Sequence, residues 1–177
     1  MNADFFINPE ETTLIIIDMQ AEFLTKFRKK NLEPLIEANI ALINFAEIKN
    51  IPIINFSYED SGETHYLIEK ELEKVKYPHS PTYLTKSKDS ILAEYETTTF
   101  MQNKKNVIVT GVNCHACVQD SANDLIKEGY KIITSKDSID DYIPGNKELS
   151  IEEFYGKKAI LYETYRELFR AIKEKKL

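Results

Sequence analysis

Cys117 begins a predicted helix directly after a buried strand, which is a position where a thiol can do covalent chemistry. It lies in the run VIVTGVNCHACVQDSA, residues 107–122, where the apolar segment Val107–Val109 leads into a short polar turn. The first turn of a helix has unpaired N–H groups and the positive end of the helix dipole. Both favour thiolate over thiol, and the thiolate is the nucleophile. The placement therefore predicts a reactive cysteine.

Other interpretations of the same turn stay open. Cys114 and Cys117 form a C-x-x-C pair at a strand-to-helix junction, which is also typical of thiol–disulfide oxidoreductases. A zinc site built from these cysteines and His115 lacks a second ligand pair. A buried cysteine without a chemical role is the remaining alternative.

Asp18 follows the apolar strand predicted over 13–17 and is a candidate partner for the thiol. A carboxylate in such a place is costly unless it is paired or used, so it is a candidate general base. A turn-capping aspartate is the simpler alternative. The N–H groups around Asn113 and Cys117 can converge on one point and would then stabilise an oxyanion.

Lys86 is a third candidate, in the run YLTKSKDSIL. A lysine near a thiol and a carboxylate would stabilise negative charge at both. On the residues alone a solvated surface lysine is the favoured interpretation, because Lys88 fits the role equally well.

The elements that must position these residues alternate between strands and helices, which is typical of βαβ units in a mostly parallel sheet. The predicted strands are 13–17, 51–56, 107–109, 131–134 and 158–162, and the predicted helices are 32–50, 66–76, 117–128 and 163–175. We expect one domain over 1–177, of the α/β class, with a three-layer αβα Rossmann-like fold and a mostly parallel sheet of five to six strands. Ligands of such sheets bind beyond the C-terminal strand ends.

Composition excludes several classes of protein. The net charge is -6, and basic residues form only short clusters such as 26–30, so we expect no nucleic-acid partner. No apolar stretch is long enough to span a membrane, and the N-terminus lacks a secretory pattern. Two cysteines do not make a disulfide framework, so a cytoplasmic location is expected.

These motifs together resemble those of a known enzyme family. An apolar strand precedes Asp-Met-Gln-x-x-Phe, a lysine follows in mid-chain, and Thr-Gly-Val-x-x-x-x-Cys-Val leads into a helix of small residues. The sequence is similar to the isochorismatase-like cysteine hydrolases, which include nicotinamidases, carbamoylsarcosine and ureidoacrylate amidohydrolases, and biuret hydrolase. The resemblance runs from about Thr12 to Asp137.

The resemblance implies roles for individual residues. Asp18 matches the catalytic aspartate, Lys86 the family lysine and Cys117 the nucleophile. Phe23 matches an aromatic residue that lines the substrate pocket in several members. The implied activity is hydrolysis of a small amide, ureide or carbamoyl compound through a covalent acyl-enzyme, without a cofactor.

Further implications concern the backbone and the assembly. The family carries a non-proline cis peptide that corresponds to Val112–Asn113, and the N–H groups of Asn113 and Cys117 would form the oxyanion hole. Members are commonly dimers or tetramers, so a homo-oligomer acting on a small molecule is expected. A catalytically silent member that only binds a ligand is the alternative within the family.

The sequence also departs from the family in places. Nicotinamidases hold a metal through an Asp-x-His motif, whereas this chain offers Asp60, His65 and His79 without that spacing. We therefore predict no metal site and disfavour nicotinamidase activity. True isochorismatases lack the cysteine nucleophile, so Cys117 disfavours that reaction too. Ile91-Leu92 stands where the family tends to have Ala-Phe.

Overall fold

The computed structural model describes residues 7–76, 80–96 and 101–172 as one sheet flanked by helices. The strands are β1 (Thr12–Ile17), β2 (Ile53–Tyr58), β3 (Thr82–Lys86), β4 (Asn106–Val112), β5 (Lys131–Ser135), β6 (Ile139–Asp140) and β7 (Ile160–Tyr162). Six of them run in the order β3-β2-β1-β4-β5-β7, and the short β6 pairs with the end of β4. Every pairing is parallel. The predicted α/β fold with a parallel sheet is confirmed.

The helices cover both faces of this sheet. They are α1 (Ala21–Leu24), α2 (Lys29–Ile48), α3 (Tyr66–Leu72), α4 (Cys117–Lys127), α5 (Asn146–Ser150), α6 (Gly156–Lys158) and α7 (Tyr165–Ala171), with a π-helical turn at Ile151–Tyr155. No helix among the described ranges is both long and apolar enough to cross a membrane.

Strand β1 lies at the centre because both of its faces are apolar. All six of its residues are buried. Leu14 and Ile16 pack into a cluster with α2, α3 and α7, whereas Ile15 and Ile17 pack into a second cluster with α4. Side chains alternate between the faces of a strand, so a continuous apolar run fits only a strand covered on both sides. The end of β1 is therefore held rigidly from two directions.

Two strands and several boundaries differ from the sequence expectations. Strand β3 was not predicted because it is an edge strand with mostly exposed or half-buried residues and no apolar run. Strand β6 has only two residues. Helix α2 is Lys29–Ile48, so it begins before the predicted range 32–50. The closing helix α7 is Tyr165–Ala171, shorter than the range 163–175, and residues 173–177 lie outside the described part.

Candidate active site

Three strand ends bring a carboxylate, a lysine and a thiol to one place. Asp18 directly follows β1 and Lys86 ends β3, while Cys117 begins α4 after β4. Lys86 Nζ donates a hydrogen bond to Asp18 Oδ2 at 2.9 Å, and both side chains are fully buried. Asp18 has a φ of 56°, a left-handed conformation that is uncommon outside glycine, at the point where the chain leaves the sheet. The structure thus brings together the three residues that the sequence singled out.

Asp18 is poised to exchange a proton. Burial raises the pKa of Asp18 above its usual value, and the Lys86 cation offsets only part of this effect. Its second oxygen, Oδ1, is buried and has no hydrogen-bond partner among the described residues. A carboxylate with a raised pKa and a free oxygen is a stronger base than an exposed aspartate.

The sequence expectation of a stabilised thiolate at Cys117 is wrong for this geometry. Burial raises the pKa of the Cys117 thiol, and the negative charges of Asp18 and Asp89 raise it further. The Lys86 cation opposes this shift without reversing it. Only 4 % of Cys117 is exposed, so loss of solvation outweighs the helix start. These surroundings therefore favour the thiol form of Cys117 over the thiolate.

Lys86 is distinguished from Lys88 by its surroundings. Lys86 is buried, donates to the backbone oxygen of Lys88 at 3.2 Å, and lies 4.6 Å from the centre of the Tyr58 ring. Lys88 is exposed. The half-buried Phe23 packs edge-on against Tyr58, with ring centres 6.3 Å apart. Phe23 therefore lies one ring away from Lys86, and its contact with substrate stays a prediction.

Gly111 allows β4 to approach β1 just before the nucleophile turn. Its φ is +130°, and a Cβ added there would lie 1.9 Å from the backbone oxygen of Ile17. Only glycine fits such a close backbone approach. The next turn residue, Asn113, has a φ of 59°, and its buried Oδ1 lacks a hydrogen-bond partner in the described ranges. The cis peptide at Val112–Asn113 and the oxyanion role of the Asn113 and Cys117 N–H groups stay predictions.

Residues from the C-terminal part of the chain form hydrogen bonds with the turn that precedes Cys117. Tyr155, fully buried, donates from its hydroxyl to the backbone oxygen of Cys114 at 3.0 Å. The His115 N–H donates to Asp141 Oδ2 at 3.3 Å, and the His115 Nδ1 lies 2.9 Å from Ser150 Oγ. These contacts fix the turn that carries Cys117, and the loosely patterned sequence beyond 137 gave no sign of them.

Cys114 serves the packing of this turn rather than redox chemistry. Both cysteines are free, and Cys114 is fully buried. Burial, together with the carboxylates of Asp141 and Asp140, raises the pKa of Cys114 to about 12. Exchange with a disulfide needs an accessible thiolate, so the oxidoreductase interpretation loses its second cysteine.

Asp89 is a site residue that the sequence reasoning missed. The Cys117 Sγ lies 3.6 Å from Asp89 Oδ1, within hydrogen-bond range for sulfur. The signal was its position three residues after Lys86, in a loop that returns towards α4. In the segment that lacks the Asp-x-His motif, His65 caps α3 by accepting from the Leu67 N–H. The described residues contain no group of three or more His, Cys, Asp or Glu side chains that could hold a metal ion, and the absence of a metal site stays a prediction. His79 lies outside the described residues.

A second concavity lies on the other half of the same sheet edge. This β5–β7 pocket has a volume of about 530 Å³ and opens between the start of α2 and the segments after β5, β6 and β7. Its charged lining includes Lys30, Lys136, Asp137, Asp140, Lys147 and Glu163. None of the residues at the thiol contributes to it.

The whole arrangement matches a known family. A sequence profile of the Isochorismatase domain matches residues 12–164. The chain belongs to the isochorismatase family. The relationship inferred from the motifs around Asp18 and Cys117 is thereby confirmed.

Individual isochorismatase relatives are distant in sequence. The secreted isochorismatase effector Isc1 of Phytophthora sojae is 25 % identical over 167 residues, which cover 92 % of this chain and 77 % of that protein. The MAR1 ribonuclease of Caenorhabditis elegans superposes with a TM-score of 0.82 at 22 % identity, over 94 % of this chain and 83 % of that one. The ycaC gene product of Escherichia coli, described as an octameric hydrolase of unknown specificity, gives 0.78 at 15 %, over 94 % and 81 %. At these identities the structures establish the isochorismatase fold, and the family is one of hydrolases.

Proposed function

We propose that this protein is a cysteine-dependent hydrolase of a small amide, ureide or carbamoyl compound. The observation that carries the proposal is the buried contact of Lys86 with Asp18, 2.9 Å long, beside the Cys117 thiol. A base, a cation and a nucleophile that share one buried place at strand ends are the parts that acyl transfer through a thiol requires.

The first half of the proposed reaction forms an acyl-enzyme. Asp18 accepts the thiol proton while the Cys117 sulfur attacks the carbonyl carbon. The negative charge that develops on the carbonyl oxygen is held by the N–H groups of Asn113 and Cys117. Protonated Asp18 then gives its proton to the nitrogen of the leaving group, the C–N bond breaks, and a thioester remains.

The second half releases the acid and restores the enzyme. Asp18, again a carboxylate, takes a proton from water as that water attacks the thioester carbonyl. The C–S bond breaks, the sulfur recovers the proton from Asp18, and the carboxylic or carbamic acid leaves. Lys86 favours the ionised form of Asp18 between steps and offsets part of the burial that raises its pKa. The scheme uses neither a cofactor nor a metal.

The setting of the site is proposed with the same support. Phe23 is assigned to the pocket wall because it packs on Tyr58, next to Lys86. A homo-oligomer, a dimer or tetramer, is expected from the family, and the ycaC product is described as octameric. A cytoplasmic location remains our expectation from the sequence, while the Phytophthora relative is named as a secreted protein.

A substrate screen tests the proposal. The purified protein is incubated with a panel of small amides, ureides and carbamoyl compounds, and ammonia release is measured. Cys117→Ala should remove turnover entirely, whereas Cys114→Ala, which deletes the neighbouring thiol, should keep most of it. Equal ammonia release by the Cys117→Ala form would refute the nucleophile.

A further inference from the structure

We propose that Asp89 sets the charge preference of the site, favouring neutral or cationic substrates that offer N–H groups and disfavouring substrates with a carboxylate near the scissile bond. The inference rests on the proposed function, whose substrate class it narrows. It concerns a residue outside the triad of Asp18, Lys86 and Cys117.

Asp89 lies on the solvent side of the nucleophile. Its Oδ1 is 3.6 Å from the Cys117 Sγ, and the residue is exposed. Asp18 and Lys86, by contrast, are buried, and Cys117 is nearly so. Of the charged groups at the sulfur, Asp89 is therefore the one that an arriving solute meets first.

The charge of Asp89 is not neutralised within the site. Asp18 and Lys86 cancel each other through their short ion pair. Asp89 makes no ion pair among the described residues, and its negative charge helps to raise the pKa of Asp18 and Cys117. The surroundings of the sulfur thus carry a net negative charge. An anionic substrate would be repelled there, whereas an amide N–H or an ammonium group would be attracted.

The loop that carries Asp89 is anchored to the helix that carries the nucleophile. Ser121, one turn after Cys117 on α4, accepts from the Ile91 N–H at 3.1 Å and donates to the backbone oxygen of Asp89 at 3.4 Å. The other end of the loop is closed by Ser87, whose N–H and hydroxyl both donate to the Glu94 carboxylate at 2.6 Å. The carboxylate is therefore held near the sulfur before substrate arrives, which is the condition for selective recognition.

Charged thiol reagents test this inference without a substrate. Cys117 is modified with cationic aminoethyl methanethiosulfonate and with anionic sulfonatoethyl methanethiosulfonate, and the two rate constants are compared as a ratio. All forms carry Cys114→Ala, so that one thiol reacts. Asp89→Asn keeps the size of the side chain and removes its charge. Glu33→Gln removes the same charge from an exposed position on α2 and serves as the matched control.

The expected result is a cation-to-anion rate ratio that falls about fivefold or more in Asp89→Asn and stays unchanged in Glu33→Gln. A change in the acidity of the thiol alters both rates together and cancels in the ratio. An unchanged ratio in Asp89→Asn would overturn the inference. A thiol that reacts with neither reagent would also overturn it, because the inference requires solutes to reach the sulfur past Asp89.

Substrate pairs separate this inference from the proposed function. Amides that differ only in a carboxylate or a primary amide next to the scissile bond are compared by kcat/KM. Asp89→Asn should raise kcat/KM for the carboxylate-bearing member relative to kcat/KM for the neutral member, mainly through KM. If no amide is hydrolysed while the reagent ratio still responds to Asp89→Asn, the proposed function fails and the charge preference stands.

Discussion

The two halves of the sheet edge both carry lysine–carboxylate pairs, but among the described residues only the half at β1 and β3 has a pair with both side chains fully buried. At the ends of β1 and β3, the Lys86–Asp18 pair has no exposed side-chain surface. In the β5–β7 pocket, Lys136 contacts Glu163 at 2.6 Å with 35 % and 65 % of the side chains exposed. Water therefore reaches both members of the Lys136–Glu163 pair, whereas it reaches neither member of the Lys86–Asp18 pair.

This difference distinguishes the two halves by the burial of their charged side chains. An exposed ion pair is screened by water and contributes little to the free energy of unfolding. A buried pair is costly to keep, and its members respond strongly to each other. The thiol lies beside the buried pair, and Cys117 is not among the residues that line the β5–β7 pocket.

The strongest test of the contrast removes the carboxylate from each half. Asp18→Asn should lower kcat by about 10²–10⁴-fold, because the thiol loses its base. Glu163→Gln, which deletes the exposed carboxylate of the pocket, should leave kcat unchanged. Steady-state kinetics on the best amide from the screen measure both, and equal losses would show that the pocket takes part in turnover.

The next test compares the two lysines by stability. Lys86→Met leaves the buried Asp18 carboxylate without its cation, and we expect the free energy of unfolding to fall by about 3–5 kcal/mol. Lys136→Met removes an exposed partner and should cost about 1 kcal/mol or less. Urea denaturation at neutral pH gives both values. Similar losses would mean that the Asp18 pair is solvated in solution.

A smaller effect on the free energy of unfolding is expected from the replacement of Tyr155. Tyr155→Phe removes the hydroxyl that donates to the backbone oxygen of Cys114 and leaves that buried oxygen with one partner fewer. The free energy of unfolding should fall by about 1–3 kcal/mol. Thermal or urea unfolding measures it. A loss of activity without a loss of stability would contradict the supporting role given to this residue.

The smallest expected effect is a pair of opposite pH trends, in which stability falls and activity rises as the pH increases. Burial raises the pKa of both Asp18 and Asp140, so the native state binds these protons more tightly than the unfolded state. Their contribution to stability is present at low pH and is lost as pH rises from the usual aspartate range through the raised pKa. Activity should rise over the same window as Asp18 ionises.

Asp140→Asn distinguishes the two trends. Asp140 lines the pocket, so its replacement should reduce the pH dependence of stability and leave the acid limb of kcat/KM in place. Denaturation and rate profiles over the same pH series provide the comparison. If Asp140→Asn shifts the acid limb of kcat/KM, the general base lies in the β5–β7 pocket and Asp18 does not have that role.

The sequence predicted the parts of the fold that depend on continuous burial. Strand β1, with six buried residues, was recognisable from its apolar run, and so were Asp18 and Cys117 as the residues at strand ends. Strand β3 was not, since an edge strand with exposed side chains has no apolar pattern. Lys86 ends that strand, which is why the residues alone did not separate it from Lys88.

Effects that depend on contacts between segments far apart in the chain could not be predicted from the sequence. The acidity of Cys117 follows from burial and from two carboxylates that stand 99 and 28 positions earlier in the chain. The helix start, which favours a thiolate, could be predicted from the sequence. The burial of Cys117, which favours a thiol, could not. Asp89 escaped notice for the same reason, because only the folded loop brings it to the sulfur.

Gly111 has a practical consequence for anyone who wishes to alter this enzyme. A methyl group there would overlap the Ile17 backbone at 1.9 Å, immediately before Asp18. A mutant library aimed at new substrates should therefore keep position 111 constant and diversify positions 88 and 89, where Lys88 and Asp89 are exposed. Substitution at position 111 would displace the end of β1 from β4, and Asp18 would no longer lie beside Cys117.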